Sequence, residues 1–252
     1  MTDLPVRRFR GRDGVELAWR ETGDGRPVVL LHGLMSNGAL LASDGPAGAI
    51  AARGYRVILP DLRGHGDSGR PHDPACYPPD VLADDGLALI AHLGLDDYHL
   101  GGYSLGGKLV LRLLARGARP TRAIVGGQGL DALDVASGRT DGHRRLLAAM
   151  ANGDDFEPGS PEEALARWVT RTGADPRAIG YALAAMVATP REALRQVPAP
   201  TLVVVGDRDS RSASAGELTA LLPNGRLVLV PGDHFTALSA PEFTAAVLNF
   251  LN

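Results

Sequence analysis

Much of what the 252-residue chain says about itself lies in what it has little of. It holds one cysteine, Cys76, which excludes an internal disulfide and any metal site built on several thiolates, and which favours a reducing compartment. No apolar run approaches the ~18–20 residues that a membrane-spanning helix needs, so no membrane association is expected. The first residues, Met1 to Arg8, have no apolar stretch behind their charges, unlike a secretory signal, and the expected location is the cytoplasm. Charge of one sign is missing too. Lys+Arg number 26 against 29 Asp+Glu, a net charge of −3, which gives no electrostatic reason to expect nucleic acid. Aromatics are scarce at 5%, yet hydrophobic residues make up 44% and charged residues 22%, enough for a sizeable core and against disorder. No repeat period or low-complexity linker is visible.

What is present is an alternation. Two extended pieces, Pro5–Arg10 and Val15–Glu21, lead into the turn cluster Gly23–Pro27. Continuous apolar runs follow at Val28–Leu31, Val57–Leu59, Tyr98–Gly102, Ala123–Val125, Thr201–Val205 and Leu227–Val230. Runs without polar alternation predict strands of a parallel sheet covered on both faces. Helices are expected between them: one capped by Asp44 with Pro46 near its start and ending at Arg53, Val81–Leu93 capped by Asp80, Leu105–Arg116, and Pro241–Leu251 capped by Ser239. The fold class is α/β, an open, mostly parallel twisted sheet with helices on both faces. Residues 131–195 break the rhythm. They hold no strand run, and Gly142–Ala151, Pro161–Thr172 and Asp175–Ala188 read as short helices. A helical insertion at 131–195 between two parts of one core, 1–130 and 196–252, is the predicted organisation.

The chemistry gathers on Gly102-Tyr103-Ser104-Leu105-Gly106, a G-x-S-x-G match. In a chain with 32 glycines chance can produce such a match, so its context decides. It sits where an apolar strand ends and a helix begins, and Gly107 follows. A sharp turn there lifts Ser104 out of the sheet, with small neighbours letting the chain pass. His32-Gly33 closes the first buried run, so the N–H of Leu34 is placed to face the same space as that of Leu105, two donors for an oxyanion. The side chain of His32 is read as packing or positioning. His234, in a glycine-containing turn after the last strand run, is the candidate base among seven histidines. Asp209, in Gly206-Asp207-Arg208-Asp209, is preferred as the carboxylate that orients it, with Asp131 as rival and Asp207 as a turn former. The chain order is then Ser…Asp…His.

These segments, together with Asp61-Leu62-Arg63-Gly64-His65-Gly66-Asp67-Ser68, resemble the α/β-hydrolase fold superfamily in its serine esterase, haloperoxidase-like and lactonase-like branch. The likeness spans nearly the whole chain. It implies a tight structural loop over Asp61–Ser68 and a cap made by 131–195 over the active site. It disfavours haloalkane dehalogenases and epoxide hydrolases, which place Asp where this chain has Ser104, and perhydrolases, which tend to place proline where it has Leu34. Phe156, Trp168 and Tyr181 are candidate pocket-lining residues from the cap, and its several arginines read as a solvated surface. The expectation is a serine hydrolase of small, largely apolar carboxylic esters, needing neither cofactor nor metal and taking a small-molecule ester or acyl partner. A lactonase, acyl thioesterase or carbon–carbon bond hydrolase would use the same residues. A hydrolase-fold ligand-binding protein is the alternative without catalysis.

Overall fold

The computed structural model describes residues 4–135 and 138–252. In chain order the elements are β1 (Arg7–Arg10), β2 (Glu16–Thr22), β3 (Arg26–Leu31), α1 (Gly38–Asp44), α2 (Ala47–Ala51), β4 (Tyr55–Asp61), α3 (Val81–His92), β5 (His99–Tyr103) and α4 (Leu105–Ala115). They continue with β6 (Arg122–Gly126), α5 (Gly138–Asn152), α6 (Pro161–Arg171), α7 (Pro176–Ala184), α8 (Arg191–Leu194), β7 (Thr201–Gly206), α9 (Ser212–Ala220), β8 (Gly225–Val230) and α10 (Pro241–Leu251). Among the described residues, eight strands form one sheet in the order β1-β2-β4-β3-β5-β6-β7-β8. β1 pairs antiparallel with β2, and β2 antiparallel with β4; every other pairing is parallel. Among the described residues no helix is long and apolar enough to cross a membrane.

The uninterrupted apolar runs follow from burial on both faces. Within β3, Val28 and Leu30 pack on one side with Ile50, Val247 and Phe250, while Val29 and Leu31 pack on the other with Leu89, Leu109 and Leu218. A strand alternates its side chains, so a strand covered twice must be apolar at every position. The chain steps from β3 to β4 on one side and then returns to place β5 on the other side of β3. The loops leaving β3 and β5 therefore diverge, and a crevice opens at the strands' carboxyl ends. Leu34 follows β3 and Ser104 follows β5, so both candidate groups stand at this switch point.

Three expected caps are corrected. Asp44 ends α1 instead of starting a helix. α1 is capped by Asn37, whose Oδ1 accepts the Leu40 N–H at 2.9 Å, and α2 follows Pro46 with no side-chain cap. Asp80 precedes α3 in a left-handed conformation (φ 71°) and does not cap it. Its carboxylate is taken by Arg112 and Arg116, an ion-pair pull stronger than a neutral N–H. Ser239 stands one residue too early: α10 starts after Ala240, and the Ser239 hydroxyl donates to the Asp44 carbonyl. The last strand, β8, is an edge strand with Leu229 53% exposed, so its apolar run does not mean burial.

The loop after β4 is held from inside. Asp61 accepts N–H groups from Gly38 and Asp67 and pairs with Arg20, while Ser68 Oγ accepts from Ala18 N and donates to the Asp61 carbonyl. Arg63, 1% exposed, is clamped by Asp13 and Asp85. Residues 131–195 carry α5 to α8 and the end of a 3-10 turn, Leu130–Leu133, with no strand among those described.

Candidate active site

Ser104 is the single residue between β5 and α4, held at φ 55°, ψ −116°, a region that side-chain-bearing residues rarely occupy. The surroundings enforce this conformation. Ser104 N–H donates to the Gly126 carbonyl at 3.0 Å, and the Ser104 carbonyl accepts the Lys108 N–H at 3.0 Å and the Gln128 side-chain amide. The glycines on either side are demanded by contact: a Cβ on Gly102 would run into the backbone of Gly106, and one on Gly106 into the carbonyl of Leu31. The turn is therefore wedged between the ends of β3 and β5.

The structure brings Ser104, His234 and Asp209 into one hydrogen-bonded line. The Ser104 hydroxyl donates to Nε2 of His234 at 2.8 Å, and Nδ1–H of His234 donates to Oδ2 of Asp209 at 2.6 Å. Asp209 is 2% exposed. Burial alone would raise its pKa. The hydrogen bond from His234 and the Arg211 N–H on its other oxygen, together with the charges of both groups, instead hold it at about 2, so it is a carboxylate across the working range. Asp131 is not part of this line; it lies on the 3-10 turn after β6 and borders a separate small cavity. Tyr103, the variable residue of the motif, stacks its ring on the imidazole at 5.4 Å and donates its hydroxyl to the His234 carbonyl at 2.7 Å. Asp207 does more than shape its own turn: its carboxylate reaches the Gly232 N–H of the neighbouring loop.

Leu34 and Leu105 both border Ser104, and neither backbone N–H has an acceptor among the described residues. A Cβ on Gly33 would stand 4.0 Å from Ser104 Oγ, so a side chain there would occupy the approach to the hydroxyl. His32 is fully buried. Its Nδ1–H donates to the Gly33 carbonyl at 2.8 Å and its Nε2 accepts the Leu62 N–H at 3.0 Å. Burial keeps it neutral, below the ordinary histidine pKa, and it pins the Leu34 loop to the loop after β4.

A cleft of about 910 Å³ opens over Ser104 and His234. Met35, Leu40, Leu165, Trp168, Phe235 and Leu238 give it apolar walls. Of the three aromatic residues expected from the insertion, only Trp168 borders it. Phe156 and Tyr181 are corrected: both pack against the main core, and the Tyr181 ring lies 5.5 Å from that of Tyr77. Helix-face direction separates these cases, and it is not legible where the periodicity is short. Phe235, 80% exposed beside His234, and Arg211, on Asp209, carried no motif and emerge only from the folded loops. Among the described residues, no group of three or more His, Cys, Asp or Glu side chains is placed to hold a metal ion.

Known proteins resemble this chain in sequence and in fold. The sequence pattern of the family described as alpha/beta hydrolase fold matches residues 26–136. The chain is 30% identical to a non-heme haloperoxidase of Rhodococcus erythropolis, an alignment that covers 95% of this chain and 97% of that one. It is 36% identical over 108 residues to the AB hydrolase superfamily protein YisY of Bacillus subtilis, covering 43% of this chain and 39% of that relative. Its structure superposes on a hydrolase from Pseudomonas aeruginosa PA01 with a TM-score of 0.77 at 25% identity, over 98% of both chains.

Proposed function

The chain belongs to the α/β-hydrolase family, and from that premise we propose that it is a serine hydrolase of carboxylic esters, with Ser104 as nucleophile, His234 as base and Asp209 as its orienting acid. One observation carries the reading: the unbroken line from Ser104 Oγ through His234 to the buried Asp209 carboxylate, set at the sheet's switch point. A serine hydroxyl is a weak nucleophile until a base takes its proton, and the base needs a carboxylate to hold its tautomer. The haloperoxidase name of the Rhodococcus relative is not extended to this chain, because Leu34 stands where perhydrolases tend to have proline.

In the proposed reaction Oγ bonds to the ester carbonyl carbon while its proton passes to Nε2 of His234. The carbonyl oxygen becomes an oxyanion facing the N–H groups of Leu34 and Leu105. Collapse breaks the bond to the alkoxy oxygen, which leaves with the proton from Nε2 as an alcohol. Water then attacks the acyl-enzyme, gives a proton to Nε2, and the carboxylic acid departs as Oγ regains its proton. No cofactor or metal enters these steps. The apolar walls of the cleft favour small, largely apolar esters.

A fluorophosphonate probe tests the reading. The expected adduct lies on the Ser104 peptide, and Ser104→Ala, folded as the parent, loses ester hydrolysis by roughly 10⁴-fold or more. An adduct elsewhere, or activity that survives in Ser104→Ala, overturns it, and a folded protein that takes no probe and cleaves no ester is a binding protein.

A further inference from the structure

Ser104 stands between two spaces of unlike size. The broad cleft is bordered by His234, Tyr103 and Phe235. A second cavity, of about 80 Å³, is bordered by Leu34, Ser104 and Leu105 but not by His234. This asymmetry orients an ester. His234 must hand its proton to the departing alcohol, so the alcohol part lies on the imidazole's side, in the cleft. The acyl part is left with the small cavity, whose 80 Å³ is under a tenth of the cleft's 910 Å³. The acyl chain it takes is therefore short.

The lining also selects chemistry. Val135, Leu183 and Met186 form an apolar side, and Lys108, Asp131 and Arg211 bring charge to it. With the Arg211 charge met by Asp209, the lining presents one cation, Lys108, and one carboxylate, Asp131. Arg211 is already engaged with Asp209 Oδ1 at 3.2 Å. Lys108 is half-buried, and its Nζ donates to the backbone carbonyl of Asp134, a neutral acceptor. Burial lowers its pKa, and the attraction of Asp131 and Asp134 does not restore it. An ammonium has three N–H donors, so Lys108 can bind an anion without giving up the Asp134 carbonyl. Lys108 lies one turn along α4 from Ser104, about 6 Å of backbone rise, and both residues border the cavity.

We propose that the small cavity is an acyl subsite for short dicarboxylic half-esters, of malonyl or succinyl size, in which Lys108 holds the free carboxylate while the alcohol part occupies the apolar cleft. The assignment rests on the serine-hydrolase reading and adds the substrate class. Three benzyl esters test it: acetate, butanoate and hemisuccinate, with benzyl alcohol release measured. Turnover of benzyl acetate checks the hydrolase reading by itself, and without it the subsite falls together with that reading. The expected result is a kcat/KM for the hemisuccinate at least tenfold above that for the butanoate. In Lys108→Gln and Lys108→Met the ratio falls at least tenfold, and Lys108→Arg keeps the preference. Free succinate inhibits benzyl acetate hydrolysis competitively in the parent, more strongly than butanoate does. That measurement stands whether or not the substituted proteins fold. Cleavage of benzyl acetate with no hemisuccinate preference, or a preference unchanged in folded Lys108→Gln, overturns the subsite and leaves the hydrolase reading intact.

Discussion

The Asp207 carboxylate accepts the Gly232 N–H across 3.0 Å, and this contact ties the loop that carries Asp209 to the loop that carries His234. Two backbone bonds run beside it, Asp207 N–H to the Val230 carbonyl at 2.8 Å and Arg208 N–H to the Gly232 carbonyl at 2.9 Å. The short bond between Asp209 and His234 thus sits on a stitched pair of loops. Asp207→Ala removes one stitch, worth about 1 kcal/mol, and is expected to lower kcat several-fold with little change in KM. Asp207→Asn keeps an acceptor oxygen and should return close to the parent. Equal kcat losses in both variants would mean that charge, not the stitch, matters at this position.

The carboxylate that serves His234 can be tested by exchange. Asp209→Asn leaves the shape, but its one oxygen stays with the Arg211 N–H and its NH2 faces Nδ1, which favours the wrong imidazole tautomer, with an expected loss on the order of 10⁴-fold in kcat at neutral pH. Asp131→Asn should stay within about tenfold of the parent on a small acetate ester. Steady-state kinetics of the two proteins side by side decide this, and the opposite ranking would move the acid to Asp131.

Substrate selection should follow the cleft wall and not the insertion's core. Trp168→Ala is expected to shift preference among esters with large and small alcohol parts, because Trp168 borders the cleft. Phe156→Ala should lower stability by about 1–3 kcal/mol with the preference unchanged, because Phe156 packs against the core. Chemical denaturation and a panel of esters read the two effects separately. A preference shift in Phe156→Ala would place that ring on the substrate path.

Acid sensitivity should come from buried neutral histidine. His65, 1% exposed, has its pKa lowered to about 3, first by burial and then by the repulsion that a protonated His32 beside it would exert. Its unfolded value is near 6.5, so the unfolded chain binds a proton first as pH falls. Stability is therefore full above about pH 6.5 and declines through the window from 6.5 down to about 3, by up to ~1.4 kcal/mol per pH unit for this group. His65→Asn can keep a donor to the Arg63 carbonyl, which His65 Nδ1 contacts at 3.0 Å, and cannot titrate. Its unfolding free energy should depend less on pH in that window, as denaturation at pH 7, 6, 5 and 4 would show. An unchanged slope would shift the acid sensitivity to other groups.

The strand runs are legible because burial on both faces forces apolar residues into consecutive positions, as Val28–Leu31 of β3 and Leu202–Val205 of β7 show. The serine turn was legible because close backbone approach at Gly102 and Gly106 admits no side chain. The caps were less so. Asp44 closes one helix instead of opening the next, ion pairs take Asp80, and Ser239 stands one residue too early. The short helices of the insertion are legible in the sequence only to within a few residues, and the faces they turn to the cleft are not legible there.

By itself, then, the sequence determined the α/β class, the motif around Ser104 and the order in which Ser104, Asp209 and His234 follow each other, since all three are written in local pattern and spacing. Tertiary structure decided what depends on how distant loops meet. The pairing of Asp209 with His234 across 25 positions, the stitch from Asp207 to Gly232, the exclusion of Phe156 and Tyr181 from the cleft, and the small charged cavity beside Ser104 all arise from that meeting. Periodicity reports which face of an element is buried; it carries no record of which other element buries it.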